Sequence, residues 1–211
     1  MYVPEAFRVV DEGEIEAFVR RYDFATIATS TPRGLLATHV PVVIRRESAR
    51  LIIAGHVARE NPHLDAMEGS DESLAIFHGP HSYVSPTWYE HSPAVPTWNY
   101  AVVHAYGHLR VRGERQFILG VLSELVHRYE GARPTPWRIE DLPTGFHDQL
   151  LSRIVGFEMP ILRLEAKFKL GQNRPVEDRA GTIRGLEGEA SSDASALAQF
   201  MRSYLKESLI E

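Results

Sequence analysis

The chain of 211 residues contains no cysteine. That absence excludes a disulfide framework, thiolate zinc sites, cysteine-ligated iron–sulfur clusters and a cysteine nucleophile together. No apolar run reaches the length of a membrane-spanning helix. The opening Met1-Tyr-Val-Pro-Glu-Ala-Phe7 also has neither the basic nor the apolar region of a secretion signal. The expectation is a cytoplasmic protein without membrane contact. Positive charge is in deficit, with 23 Lys and Arg against 28 Asp and Glu, a net of −5. Because nucleic acids are held through clustered basic residues, this balance gives no support for direct DNA contact, although a local basic patch stays open. The chain also lacks a G-x-G-x-x-G after a strand, a G-x-S-x-G elbow and an H-E-x-x-H helix.

What it has is one unusually dense stretch. Residues 79–107 hold two of the three tryptophans, four of the eight tyrosines and four of the thirteen prolines, with His81, His91 and His104 among them. Within it Pro86-Thr-Trp-Tyr89 is echoed by Pro96-Thr-Trp-Asn99. From Ala101 the pattern alternates strictly. Ala101, Val103, Ala105, Gly107, Leu109 and Val111 share one face of a predicted strand, and Val102, His104, Tyr106, His108 and Arg110 the other. Such a polar, aromatic face needs solvent, a partner subunit or a ligand against it.

Around that stretch the chain reads as short strands and few helices. Residues 11–22 form an amphipathic helix, and 24–30 and 35–44 a hairpin turned by Pro32-Arg-Gly34. Residues 51–54 are a third strand, ending in a turn that starts at Gly55. Asn61-Pro62 then caps a brief helix over 63–67. Residues 73–77 are a fourth strand, and 115–129 the longest helix, with Phe117, Ile118, Val121, Leu122, Leu125 and Val126 on one stripe. A proline-rich connector over 133–143 leads to a short helix at 146–152. Residues 154–170 form a long strand in which Pro160 argues for an edge, a bulge or a break. Two helices follow, over 175–186 and from a cap at Asp193 to Leu205. With six or seven strands and no βαβ alternation, the fold class is mainly β with peripheral helices, an antiparallel barrel or half-barrel. The expected domains are a β part over 1–174 and a helical extension over 175–211 packed on it.

Three constellations carry possible chemistry. His78 with His81 and His104 with His108 are spaced for metal binding, but no carboxylate or thiol stands at zinc spacing. Two histidines four apart on a strand also lie ~13 Å apart at ~3.3 Å per residue, so no metal site is expected. Ser82, Ser85 and Ser92 lie beside prolines and suit turns rather than nucleophilic catalysis. The strand, turn and helix start around Gly55 to Pro62 bring backbone N–H groups beside Arg59, which is the local chemistry of an anion site. Thr97, Trp98, Asn99 and Tyr100, with Gln172, Asn173 and Arg174 elsewhere, offer amides, hydroxyls and flat walls suited to a planar heteroaromatic such as a flavin.

Several blocks in one order, Met1-Tyr-Val-Pro4 with Phe7, Gly55-His-Val-Ala-Arg-Glu-Asn-Pro62, Gly79-Pro-His-Ser-Tyr-Val-Ser-Pro86, Val95-Pro-Thr-Trp-Asn-Tyr100 and Lys169-Leu-Gly-Gln-Asn-Arg174, resemble the PaiB family of FMN-binding negative transcriptional regulators. The resemblance implies an FMN-binding split β-barrel of the pyridoxamine 5′-phosphate oxidase type, a homodimer, and FMN at the subunit interface. It implies that Thr38 and His39 pass the flavin ring. The turn containing His56, Val57, Ala58, Arg59 and Asn61 holds the phosphate, with Arg59 as the cation. Thr97, Trp98, Asn99, Tyr100, Lys169, Gln172 and Asn173 line the ring and ribityl chain, some from the second subunit. Gly171 departs from the family block, which more often reads Ser there.

The function this implies is an FMN-binding regulator or redox sensor. The alternatives are a flavin-dependent oxidoreductase using NAD(P)H or a reduced deazaflavin, a haem-binding or haem-degrading protein on the same barrel, and a ligand-free DNA-binding repressor. His39, His56 and His104 are the acid–base candidates.

Overall fold

A computed structural model describes residues 1–67 and 72–205. Its strands are β1 (Arg8–Val9), β2 (Phe24–Thr31), β3 (Gly34–Pro41), β4 (Val43–Glu47), β5 (Arg50–Ala58), β6 (Ser73–Val84), β7 (Thr97–Gly107), β8 (Arg110–Arg112) and β9 (Ile154–Lys169). The helices are α1 (Glu12–Arg21), α2 (His63–Met67), α3 (Arg115–Glu130), α4 (Thr144–Leu151), α5 (Val176–Glu187) and α6 (Ser192–Tyr204). The strands follow one another in the order β3-β2-β6-β7-β9-β5-β4, with β1 and β8 also pairing with β9. The chain divides into two compact units that interleave along the sequence. One comprises Met1–Phe18, His78–Val103 and the chain from Glu165, the other Val19–Phe77 and His104–Leu164.

In the second of these, β2 pairs antiparallel with β3 from Phe24↔Pro41 to Thr31↔Gly34, the expected hairpin. The return strand ends at Pro41, short of the expected Ile44. Proline has no N–H to continue a ladder, and the next donor, Val42 N, turns to Asp23 O at 2.9 Å. The chain then starts β4, which pairs with β5. β5 is longer than expected. It runs through Gly55 to Ala58, so the turn begins four residues later than the glycine suggested. The glycine is there for packing: a Cβ on Gly55 would stand 2.6 Å from the Phe157 ring. β9 passes unbroken through Pro160, which sits where the β5 ladder ends, at Ile52↔Pro160. On the other side of this segment β8 pairs from Arg110↔Glu158 to Arg112↔Gly156. α3 buries Ile118, Val121 and Leu125 of the expected stripe, and Val121 and Leu125 cluster with Val43 and Ala54.

In the other unit β1 pairs with the end of β9 through Arg8↔Lys167 and Val9↔Ala166. Toward its end β9 buries Ala166 and Phe168, and Lys167 between them, and Leu170 just after it is buried as well. Phe168 is the centre of an aromatic group, with ring centroids 4.9 Å from Phe18, 5.3 Å from Phe200 and 5.2 Å from Tyr204. α6 is capped by Ser191, whose hydroxyl accepts from Ala194 N, rather than by the expected Asp193. α5 turns Gly181 and Gly185, one helical turn apart, toward Trp88, which closes a single turn of 3-10 helix, Pro86–Trp88.

Candidate functional site

The first group of predicted residues gathers around the N-terminal end of α2. Asn61 folds the chain there: its side-chain oxygen accepts from His63 N at 2.9 Å, and its carbonyl from Leu64 N at 3.0 Å. The cap brings the His63 ring to Thr38 on β3, where Nδ1 lies 2.8 Å from Thr38 Oγ1. Asn61 Nδ2 donates to the same hydroxyl at 3.3 Å. His63 is 1% exposed, and burial holds its pKa below the ordinary imidazole value, so the ring is neutral at pH 7. Its Nε2 is buried without a hydrogen-bond partner among the described residues.

His39 and His56 stand differently. His39 is exposed and pairs Nδ1 with Thr26 Oγ1 at 2.9 Å. His56 is half-buried, with its Nδ1 buried and unpaired among the described residues and its pKa lowered by burial. Val57 is core, and Ala58 is exposed at the end of β5.

Arg59 is held by backbone. Its N–H donates to Arg153 O at 2.8 Å, Nε to Ser152 O at 2.9 Å and Nη2 to Ile154 O at 3.3 Å. Carbonyl dipoles orient a guanidinium without neutralising it, and no carboxylate among the described residues pairs with Arg59. An open cleft of about 490 Å³ is lined by Arg59 and Asn61, with Glu60 and Asp65 at its sides and Val111 and Val155 as apolar wall.

The second group lies where β7 starts and β9 ends. Lys169 Nζ donates to Trp98 O at 2.7 Å and to Thr97 Oγ1. Burial, and after it the charge of Lys167, lower the Lys169 pKa. Lys167 itself lies over the rings of Tyr2 and Tyr100, at 5.7 and 5.2 Å. Trp98 is 53% exposed and has His81 and Tyr83 as ring neighbours, at 6.5 and 6.4 Å.

Asn99 faces the interior, with Nδ2 directed at Met201 Sδ at 3.7 Å. Gln172 closes the end of the strand. Its Oε1 accepts from Leu170 N at 2.8 Å, and Nε2 donates to Phe168 O at 2.6 Å. Asn173 is exposed on the turn. Gly171 sits at φ +84°, a region that disfavours the Ser found more often in the family block.

Two residues that the sequence did not single out tie together remote segments. His63 read only as the start of a helix, and its partner Thr38 is 25 residues away. Asp178 on α5 is fully buried. Its Oδ1 accepts from Glu90 N at 2.9 Å and from His91 N and Nδ1, each at 3.0 Å. Burial alone would push its pKa up, but the bonds from His91 and Glu90 outweigh burial and hold it below the usual value. No local pattern could have announced either contact, because both join segments remote in sequence. Among the described residues no three His, Asp or Glu converge as a metal site would require.

Residues 1–163 match the family described as "Putative FMN-binding domain". The protein named protease synthase and sporulation protein PAI 2, from Bacillus subtilis, is 33% identical over 209 residues, 99% of this chain and 100% of its own. An uncharacterized protein of Emericella nidulans is 32% identical over 202 residues, 79% of this chain and 80% of that one. Among solved structures, a conserved hypothetical protein from Mycobacterium tuberculosis matches with a TM-score of 0.58 at 16% identity, over 80% of this chain and 91% of that one. A flavocytochrome from Azotobacter vinelandii matches with a TM-score of 0.58 at 14% identity, over 81% and 73%. At such identities a structural likeness speaks for the fold alone, and the fold is the antiparallel split β-barrel with peripheral helices expected from the sequence. The family match and the full-length relative supply the rest: the chain is a split-barrel flavin-binding protein of the PaiB family.

Proposed function

We propose that the protein binds FMN non-covalently as a homodimer and acts as a negative transcriptional regulator or redox sensor. The observation that carries the cofactor is Arg59. Its guanidinium is aimed by main-chain carbonyls, has no carboxylate partner among the described residues, and lines one cleft with Asn61, whose Nδ2 donates to Thr38. That is the equipment for a phosphoryl group, the part that distinguishes FMN from riboflavin. Trp98, Tyr100, Lys169 and Asn173 are the groups left to meet the ring and ribityl chain, in part from the partner subunit. FMN would supply redox chemistry, and the protein orientation and exclusion of water. With a net charge of −5, a repressor role through direct DNA contact needs a basic face that the charge balance does not supply, so the regulatory reading favours action through a partner or through the flavin state.

The test compares two ligands. Losing one charge-assisted contact costs about 1.5–3 kcal/mol, so Arg59→Ala is expected to weaken FMN roughly 10- to 150-fold and leave riboflavin unchanged. Equal losses for both, or wild-type protein that leaves FMN free in solution, would refute the assignment. A sedimentation mass equal to one chain would refute the dimer.

A further inference from the structure

The group at Thr38 carries a second conclusion, which rests on the FMN reading above. A threonine hydroxyl has two lone pairs and one proton. Asn61 Nδ2 can only donate, so it takes one lone pair of Thr38 Oγ1. The bond to His63 Nδ1 can run either way, and the direction decides what remains.

If Thr38 donates, His63 carries its proton on Nε2, which is buried with no partner among the described residues. That leaves an orphan N–H in the interior. If instead His63 Nδ1–H donates, the orphan at Nε2 is a bare lone pair. Orphaned buried N–H groups are rarer in folded proteins than under-satisfied acceptors. The second arrangement therefore prevails. Both lone pairs of Thr38 are then filled, and neither bond uses its proton. Thr38 is half-buried, so that proton has access to a ligand.

We infer that His63 is a positioning residue: by donating from Nδ1 it fills the second lone pair of Thr38 Oγ1 and commits the hydroxyl proton to a phosphoryl oxygen of bound FMN. His63 touches no ligand atom in this arrangement. It sets the direction of a hydrogen bond made by another side chain, so Thr38 discriminates for an acceptor and against a donor. Asn61, bonded to Thr38, lines the same cleft as Arg59, whose charge selects an anionic acceptor there.

Two measurements test this. In wild-type protein without ligand, nitrogen NMR of the His63 imidazole should report the Nδ1–H tautomer. The Nε2–H form would overturn the inference whatever the protein binds. Second, affinities for FMN and riboflavin are compared across Thr38→Val, His63→Leu, the double variant and His63→Asn. Each of Thr38→Val and His63→Leu should weaken FMN roughly tenfold with riboflavin unchanged, the size of one lost hydrogen bond to a charged group. The double variant should be no worse than either single, because one acts through the other. His63→Asn, which keeps a donor near the Nδ1 position, should recover most of the loss.

Additive losses, or equal loss of both ligands, would overturn the inference while leaving FMN binding intact. Wild-type protein that binds FMN no better than riboflavin would instead overturn the FMN reading and, with it, the destination of the proton. Should His63→Leu fail to fold, the tautomer and Thr38→Val still decide the matter.

Discussion

Gly185 separates two effects of opposite sign. In the interior of an exposed helix, Gly→Ala stabilises by about 1 kcal/mol through helix propensity. In α5 the side of Gly185 is occupied: a Cβ there would stand 2.5 Å from Trp88 Cγ and 2.6 Å from Cε2, with Cδ2 nearer still, against an ordinary contact of at least 3.4 Å. The indole would have to withdraw by 0.9 Å or more, the difference between 3.4 and 2.5. It cannot do so alone. Trp88 N is bonded to Ser85 O at 3.2 Å, the Trp88 carbonyl lies against Gly181, and Glu90 N and His91 N are bound to Asp178. Overpacking of this kind costs about 1–3 kcal/mol or more, which exceeds the propensity gain.

Gly185→Ala is therefore expected to destabilise by about 1–2 kcal/mol, lowering Tm by roughly 2–8 °C for a chain of this size. Gly145 in α4 is the control, because a Cβ there meets nothing within 4 Å. Gly145→Ala should be neutral or stabilising by up to about 1 kcal/mol. Thermal melts followed by circular dichroism and tryptophan fluorescence measure both. In a Trp88→Leu background the penalty at Gly185 should shrink, which would show the pair to be coupled. If Gly185→Ala instead gained stability as Gly145→Ala does, the packing of Trp88 on α5 would be wrong.

Two further expectations concern pH, beside those at Arg59 and His63. Asp178 has a folded pKa below its unfolded one, so its contribution is present above the unfolded value and lost as pH falls through the folded one. Asp178→Asn should lower stability at pH 7 and flatten the decline below about pH 4 in urea titrations; an unchanged acid limb would contradict the buried carboxylate. His56 and His63 are bases whose folded pKa is depressed by burial, so the unfolded chain takes up protons first as pH falls below about 6.5. Stability should therefore fall as pH drops below about 6.5, and less steeply in His63→Asn. A wild-type profile that stays flat below that pH would contradict the neutral, buried rings.

Local pattern carried most of the elements, because alternation and helical periodicity are properties of neighbours in sequence. The hairpin of β2 and β3 and the stripe of α3 were legible for that reason. Where pattern misled, a remote side chain had decided. Gly55 read as a turn because no neighbour shows that the Phe157 ring packs on it within a strand. Pro160 read as an edge, a bulge or a break, and which of these it would be depends on Ile52, remote in sequence, where the β5 ladder ends. The family blocks carried the flavin and the names of most candidate residues, since a motif stores chemistry in contiguous positions. Where each of those side chains points was decided by tertiary structure. Gln172 and Asn99 are turned to the protein's own backbone and core, Arg59 is aimed by carbonyls of residues 152–154, and His63 reaches Thr38. Composition fixes which groups are available, but a hydrogen bond has a direction and a partner, and only the folded chain brings the partner within reach.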